Sequence, residues 1–160
     1  MHETSPTVHL IARPQLDLDG MRAYLADVGG ESWLDRRLGE DEPASPGEML
    51  VEFGGRACYR SWEPGLNPNV TRVRTDRMEY FANILRSAHG SVLEHANYSF
   101  ALRDVSRVFT HELVRHRAGS AFSQESLRYV RLTDIGFRVP PALEPLRDQV
   151  ISIVERLEEF

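Results

Sequence analysis

An α+β fold is what this chain's residue pattern predicts, and three observations carry that reading. Two short runs, TVHLIA at 7–12 and ANYSFAL at 96–102, alternate apolar and polar residues as half-buried strands do. Longer stretches elsewhere repeat apolar residues at helical spacing instead. With 160 residues, 41% of them hydrophobic, the chain can enclose one core, and it shows no internal repeat or low-complexity tract. A single domain over residues 1–160 is therefore expected.

The elements follow from local chemistry. Pro14 closes the first strand. Asp19 is placed to cap a short helix through MRAYLADV, which Gly29 and Gly30 stop. From Glu31 to Pro46 the composition turns acidic, ends in GEDEPASPG, and reads as a solvated surface loop without chemistry. Ser45-Pro46 then opens a helix, PGEMLVEFGGRACYRSW, whose Gly54-Gly55 pair points to close packing against another backbone. After PGLNPN breaks it, Thr71 to Ala88 reads as an amphipathic helix with Val73, Tyr80, Phe81, Ile84 and Leu85 inward, ended by His89-Gly90. Asp104 or Ser106 caps the next helix, SRVFTHELVRHR. Ser123 to Leu132 is ambiguous, with Leu127, Tyr129 and Val130 favouring extended structure. Pro140-Pro141 precedes a last helix from about Leu143 to Phe160.

Charge and composition narrow the function. The net charge of −5 argues against a general nucleic acid binder, whose domains usually carry a basic excess. All 19 basic residues are arginine, which excludes a Schiff-base lysine and a Walker-type phosphate loop. One cysteine, Cys58, makes no intrachain disulfide, and MHETSPTVHL lacks the apolar run of a signal peptide. No segment approaches a membrane span, so a soluble cytoplasmic protein is expected.

Four constellations could carry chemistry. The richest is Arg115 to Arg131, RHRAGSAFSQESLRYVR, where Arg115, Arg117, Arg128 and Arg131 interleave with Ser120, Ser123, Ser126, Gln124 and His116, with Arg107 one helix face upstream. Guanidinium forks and short hydroxyl donors together suit a bound anion, a phosphorylated small molecule or a nucleic acid backbone. HGSVLEH, His89 to His95, offers Glu94 and His95 as an acid–base pair, but taken alone it reads as structural, with Ser91 capping a turn and His95 satisfied in the core. HELVRH misses the zinc motif HExxH because Arg115 stands where the second histidine must be. His111 and His116 are roughly 140° apart around a helix, so no metal is expected there. Arg107, His111 and Arg115 instead share one stripe, opposite Val105, Val108 and Phe109. Cys58, between apolar neighbours, reads as a packing residue.

In this order and spacing HGSVLEH, SR…THELVRHR and SQESLRYV, with EFGGRACYRSW upstream, resemble the flavin-dependent thymidylate synthases over residues from about 8 to 142. The resemblance implies an α+β homotetramer, a small antiparallel sheet packed with helices, with active sites shared between subunits. It implies reductive methylation at uracil C5 of UMP or dUMP, with methylenetetrahydrofolate as carbon donor and FAD, recharged by NADPH, as hydride source. It also implies that Arg115, His116 and Arg117, with His89, Ser91 and Glu94, contact FAD. Gln124, Glu125, Ser126, Leu127 and Arg128 would hold the nucleotide, with Glu112 and Arg115 supplied by another subunit. Arg115, Ser126 and Arg128 are the candidates for catalysis, and no metal is implied.

Two departures from the family pattern stand out. Eight residues, Ala118 to Glu125, separate Arg117 from Ser126, one more than the family's usual spacing. The chain also stops at Phe160, where typical members continue and carry further ligands, including an arginine for the uracil ring. A short member is similar to the uridylate C5-methylating homologues of the polyoxin-pathway type, and a shifted nucleotide loop is how a ribose 2′-hydroxyl would be admitted. The alternative is a degenerate paralogue that binds flavin or nucleotide without turnover.

Overall fold

The structure is a computed structural model that describes residues 2–130 and 136–158, with nothing described of the Glu158 side chain. Arg131 of the donor-rich stretch, Leu132 at the end of the ambiguous segment and the expected helix end at Phe160 lie outside the described residues. In chain order the elements are β1 (His2–Glu3), β2 (Thr7–Ala12), α1 (Leu18–Val28), α2 (Glu31–Leu38), α3 (Pro46–Tyr59), α4 (Arg77–Arg86), a 3-10 turn (Gly90–His95), β3 (Ser99–Arg103), α5 (Arg107–Leu113), β4 (Gly136–Phe137), a second 3-10 turn (Pro141–Leu146) and α6 (Arg147–Glu158). Helices and small sheets together make the fold α+β. Contacts divide the chain into two compact units, Leu10–Ser99 and Met1–His9 with Phe100–Phe160.

The Leu10–Ser99 unit is helical and holds most of the buried apolar surface. Asp17, not Asp19, caps α1, its carboxylate accepting from Gly20 N at 2.9 Å. Asp19 lies inside the first turn, where its charge favours the positive end of the helix instead. Gly29, at φ 75°, ends α1 in the left-handed conformation that glycine adopts without strain.

The acidic stretch after it is not all loop. Residues 31–38 form α2, and Trp33 and Leu34 are fully buried in a core with Met21, Leu25, Met49 and Trp62. Half of α2 is charged, which hid its short apolar stripe. One of those charges is itself interior. Arg37 donates to Glu52 of α3 through Nε and Nη2, both at 2.7 Å, and Glu52 also accepts from Trp33 Nε1 at 2.9 Å and Arg56 Nε at 2.7 Å. All three charged side chains are 1% exposed. Arg56 completes its donors on the carbonyls of Ser61 and Arg74, at 2.6 and 2.5 Å. This network ties α2 to α3.

The helix α3 starts as Ser45-Pro46 foretells, with a full capping box between Ser45 and Glu48. Gly54 and Gly55 do mark a close approach, but to side chains rather than to backbone. A Cβ on Gly54 would sit 2.6 Å from His95 Cδ2, and one on Gly55 would meet the Tyr80 hydroxyl. Tyr80, Ile84, Val51 and Val92 form the second buried cluster beneath them.

The helix α4 begins at Arg77, not Thr71, because Asp76 supplies the cap, accepting from Glu79 N at 2.6 Å. Val73 therefore precedes the helix. Of the expected inward residues Tyr80 and Ile84 are buried, Phe81 is half-buried, and Leu85 is 67% exposed.

In the Met1–His9 and Phe100–Phe160 unit, β1 and β4 pair in parallel, His2 with Gly136 and Glu3 with Phe137. The other sheet pairs β2 with β3, and the boundary between the units falls within both strands. Instead of one antiparallel sheet, the described residues thus form two two-stranded sheets, one of them parallel. The second expected strand lies at Ser99–Arg103 rather than 96–102. The last helix starts at Arg147 rather than Leu143, since Pro145, which lacks an N–H, falls in the preceding 3-10 turn. Among the described residues, no helix is long and apolar enough to cross a membrane.

Candidate functional site

Ser106 caps α5, its hydroxyl accepting from Phe109 N at 3.1 Å, so of the two expected caps Ser106 serves. Asp104 instead takes a positive φ of 58° in the turn before it. The helix is only seven residues long and stops short of the basic triplet. From there the backbone tightens: Arg115 N bonds to Glu112 O at 3.2 Å, His116 N to Leu113 O at 3.1 Å, and Arg117 N to Arg115 O at 3.0 Å. A left-handed Gly119 and a bond from Ser120 N to Arg117 O at 3.2 Å then turn the chain.

The segment that follows folds back along α5. Gln124 Nε2 donates to Thr110 Oγ1 at 2.9 Å, and Arg107 Nη2 donates to Glu125 O at 2.9 Å. These two bonds hold Gln124 and Glu125 against the helix. Of the expected stripe Arg107, His111 and Arg115, Arg107 spends one donor on fixing the loop. Ser126 is half-buried and closes a tight turn, its carbonyl accepting from Tyr129 N at 3.0 Å and Val130 N at 2.9 Å. Ser126 Oγ accepts from Arg128 N at 3.3 Å. Leu127, Tyr129 and Val130 thus belong to a turn, not to the extended structure their β-propensity favoured.

The guanidiniums here have few partners. Arg115 Nε reaches His111 O at 3.2 Å, and Glu112 stands 3.8 Å away with both side chains at least 70% exposed. Such a pair contributes little in water. Arg128 lies over the Tyr129 ring at 5.7 Å. Among the described residues, neither Arg117 nor Arg128 has a carboxylate partner. The arrangement is a solvent-facing set of fixed-charge forks beside hydroxyl and amide donors, chemistry suited to a phosphate or another anion. Val105 is half-buried, but Val108 and Phe109 are 77% and 45% exposed, so among the described residues the expected apolar side of α5 is left largely uncovered.

His89, Ser91 and Glu94 belong to the helical unit, on and just before the first 3-10 turn. His89 N donates to Ile84 O at 3.1 Å, and its carbonyl accepts from Val92 N at 3.4 Å. Its imidazole stacks on Tyr59, with ring centroids 6.0 Å apart and planes 18° from parallel. Ser91 is exposed and caps nothing, because His89 occupies the cap position without a side-chain bond. His95 is also exposed, not a core residue, although one side of its ring lies against Gly54. Cys58 is exposed on the last turn of α3, so it is no packing residue either. Tyr59 escaped the sequence reading: its partner lies 30 positions away and no local pattern links them. Among the described residues, no group of three His, Cys, Asp or Glu side chains is placed to hold a metal ion.

Comparison with known proteins converges on one family. Residues 43–160 match the family model described as thymidylate synthase complementing protein. The chain is 42% identical over 145 residues to a protein of Mycobacterium sp. (strain JLS) named flavin-dependent thymidylate synthase, covering 90% of this chain and 48% of that one. A Mycobacterium marinum (strain ATCC BAA-535 / M) protein of the same name is 48% identical over 115 residues, 70% of this chain and 44% of its own. The chain thus spans about half the length of the curated relatives it matches.

Proposed function

The chain belongs to the thymidylate synthase complementing protein family, and on that premise we propose that it performs flavin-dependent reductive C5-methylation of a uridine nucleotide, UMP or dUMP. Methylenetetrahydrofolate is the carbon donor and NADPH the source of reducing equivalents. The observation that carries this reading is the contrast between two sets of arginines. Arg37 and Arg56 are buried and fully engaged, whereas Arg115, Arg117 and Arg128 face solvent with the exposed Glu112 as the one carboxylate near them among the described residues. Cations with so little counter-charge on the segment that carries the family resemblance suit an anionic ligand.

The donor set also fits a flavin dinucleotide. Arg115, His116 and Arg117 would hold FAD, whose pyrophosphate and anionic reduced ring both call for positive charge, together with His89, Ser91 and Glu94. FAD, when bound, supplies the hydride. The Ser126 hydroxyl and the Arg128 fork would hold the nucleotide phosphate, and Glu112, Arg115, Gln124, Glu125 and Leu127 would complete the nucleotide site. Gln124 and Glu125 are pinned to α5, so that part of the loop is held before ligand arrives and its ordering cost is reduced. Arg115, Ser126 and Arg128 remain the catalytic candidates. No nucleic acid or membrane partner enters this reading, and the setting is a soluble, cytoplasmic enzyme.

We place residues 1–160 in one family domain, as the match over 43–160 runs through both units. Sites shared in a homotetramer also accord with the exposed apolar side chains of the second unit. Val8, Phe100, Leu102, Val108 and Phe109 are all exposed there, while Val139 is the one buried hydrophobic side chain among its described residues.

The test is a purified sample incubated with FAD, NADPH, methylenetetrahydrofolate and either UMP or dUMP. A yellow protein that oxidises NADPH and yields the 5-methyl nucleotide is expected. Turnover on dUMP alone would remove the ribose-tolerant form of the reading. A colourless protein that takes up no flavin would remove the whole of it.

A further inference from the structure

We propose that Tyr59 is a positioning residue that fixes the plane of the His89 imidazole, and through it the affinity of the site for flavin. This rests on the assignment of His89 to the flavin site. The backbone of His89 is held on both sides, by Ile84 O at 3.1 Å and Val92 N at 3.4 Å, but neither bond restrains the rotation of its ring. The Tyr59 ring does. At 6.0 Å and 18° from parallel it is offset-stacked on the imidazole, and stacking of this kind favours one ring plane over the broad range open to a free histidine.

Tyr59 is itself well anchored. It is the last residue of α3, its carbonyl accepts from Asn67 Nδ2 at 2.6 Å, and Asn67 Oδ1 in turn accepts from Asn69 N at 3.0 Å. Arg60 behind it adopts a left-handed cap at φ 48°. The glycine pair one turn earlier lets His95 and Tyr80 approach α3 closely, which sets the 3-10 turn carrying His89 alongside the end of that helix. Tyr59 is 49% exposed, so it contributes little to the core, and the stack requires its ring rather than its hydroxyl.

The experiment uses the full chain with 13C-labelled histidine, free FAD as probe, and the variants Tyr59→Ala, Tyr59→Phe and His89→Ala. The His89 ring signal, identified by its loss in His89→Ala, should be displaced by the Tyr59 ring current. It should return to an ordinary position in Tyr59→Ala and stay displaced in Tyr59→Phe. The FAD dissociation constant should rise roughly threefold to tenfold in Tyr59→Ala, the size of one stacked aromatic pair, and recover in Tyr59→Phe. A His89 signal unmoved by Tyr59→Ala overturns the stack, whatever the site binds. A moved signal with unchanged FAD affinity, alongside weakened FAD binding in His89→Ala, overturns the positioning role and leaves the flavin assignment standing. Unchanged FAD binding in His89→Ala overturns both.

Discussion

Arg128 and Glu52 show how differently this chain uses charge. Arg128 offers its fork to solvent, so its value lies in what it binds. Arg128→Ala should weaken nucleotide binding by about 1.5–3 kcal/mol, the scale of a lost hydrogen bond to a charged group, as read by titration calorimetry. An unchanged dissociation constant would move the phosphate elsewhere. Glu52 works in the interior. Burial alone would push its carboxyl up, but hydrogen bonding from Arg37, the Arg56 charge and the Trp33 indole together hold it below its ordinary value of 4.5. The unfolded chain therefore takes up the proton more readily than the folded one. The stability this contributes is complete above about pH 4.5 and is lost as pH falls through the depressed value. Glu52→Gln should flatten the acid limb of a urea-denaturation series. At neutral pH it should cost about 3–5 kcal/mol, because Arg37 and Arg56 are left buried without a counter-charge. An acid limb as steep as the wild type's would show that another group dominates it.

Among the elements, those specified by neighbouring residues were legible and those specified at a distance were not. Ser45 with Pro46 announces the start of α3, and Gly29 announces the end of α1, because each signal is complete within a few residues. The helix α2 was missed since its main polar anchor, the bond from Arg37 to Glu52, spans 15 positions. The β1–β4 pairing was missed for the same reason, joining His2 to Gly136. Gly55 sits between these cases: the sequence signals a close approach but not its partner. Gly→Ala inside a helix ordinarily stabilises by about 0.5–1 kcal/mol. At Gly55 the new methyl meets the Tyr80 hydroxyl, and that ring is buried beneath the Arg56 guanidinium at 4.7 Å. Gly55→Ala should therefore destabilise by about 1–3 kcal/mol in a thermal melt. Gly90→Ala, which meets nothing within 4 Å, should not.

For the molecule as a whole, the candidate site was legible as an inventory of donors but not as a shape. The density of arginine, serine and glutamine between 115 and 131 marks a donor-rich segment in the sequence. The fold-back of Gln124 and Glu125 onto α5 depends on Thr110 and Arg107, 14 and 18 positions away, and no local pattern encodes it. The exposed apolar side chains of the second unit carry a prediction at this scale. Sedimentation velocity should find an assembly larger than one chain, and Phe100→Asp with Val108→Asp should shift it toward the monomer. A wild-type chain that sediments as a monomer at micromolar concentration would remove the shared-subunit reading.

The aromatic cluster of the helical unit has an optical corollary. The chain's two tryptophans, Trp33 and Trp62, are both fully buried there, with ring centroids 5.2 Å apart. Intrinsic indole fluorescence thus samples just one half of the polypeptide. A denaturation curve followed by emission would pass over any earlier melting of the arginine-bearing half, whereas far-ultraviolet dichroism would register it through α5 and α6. Divergence of the two curves would show directly that the halves come apart in sequence.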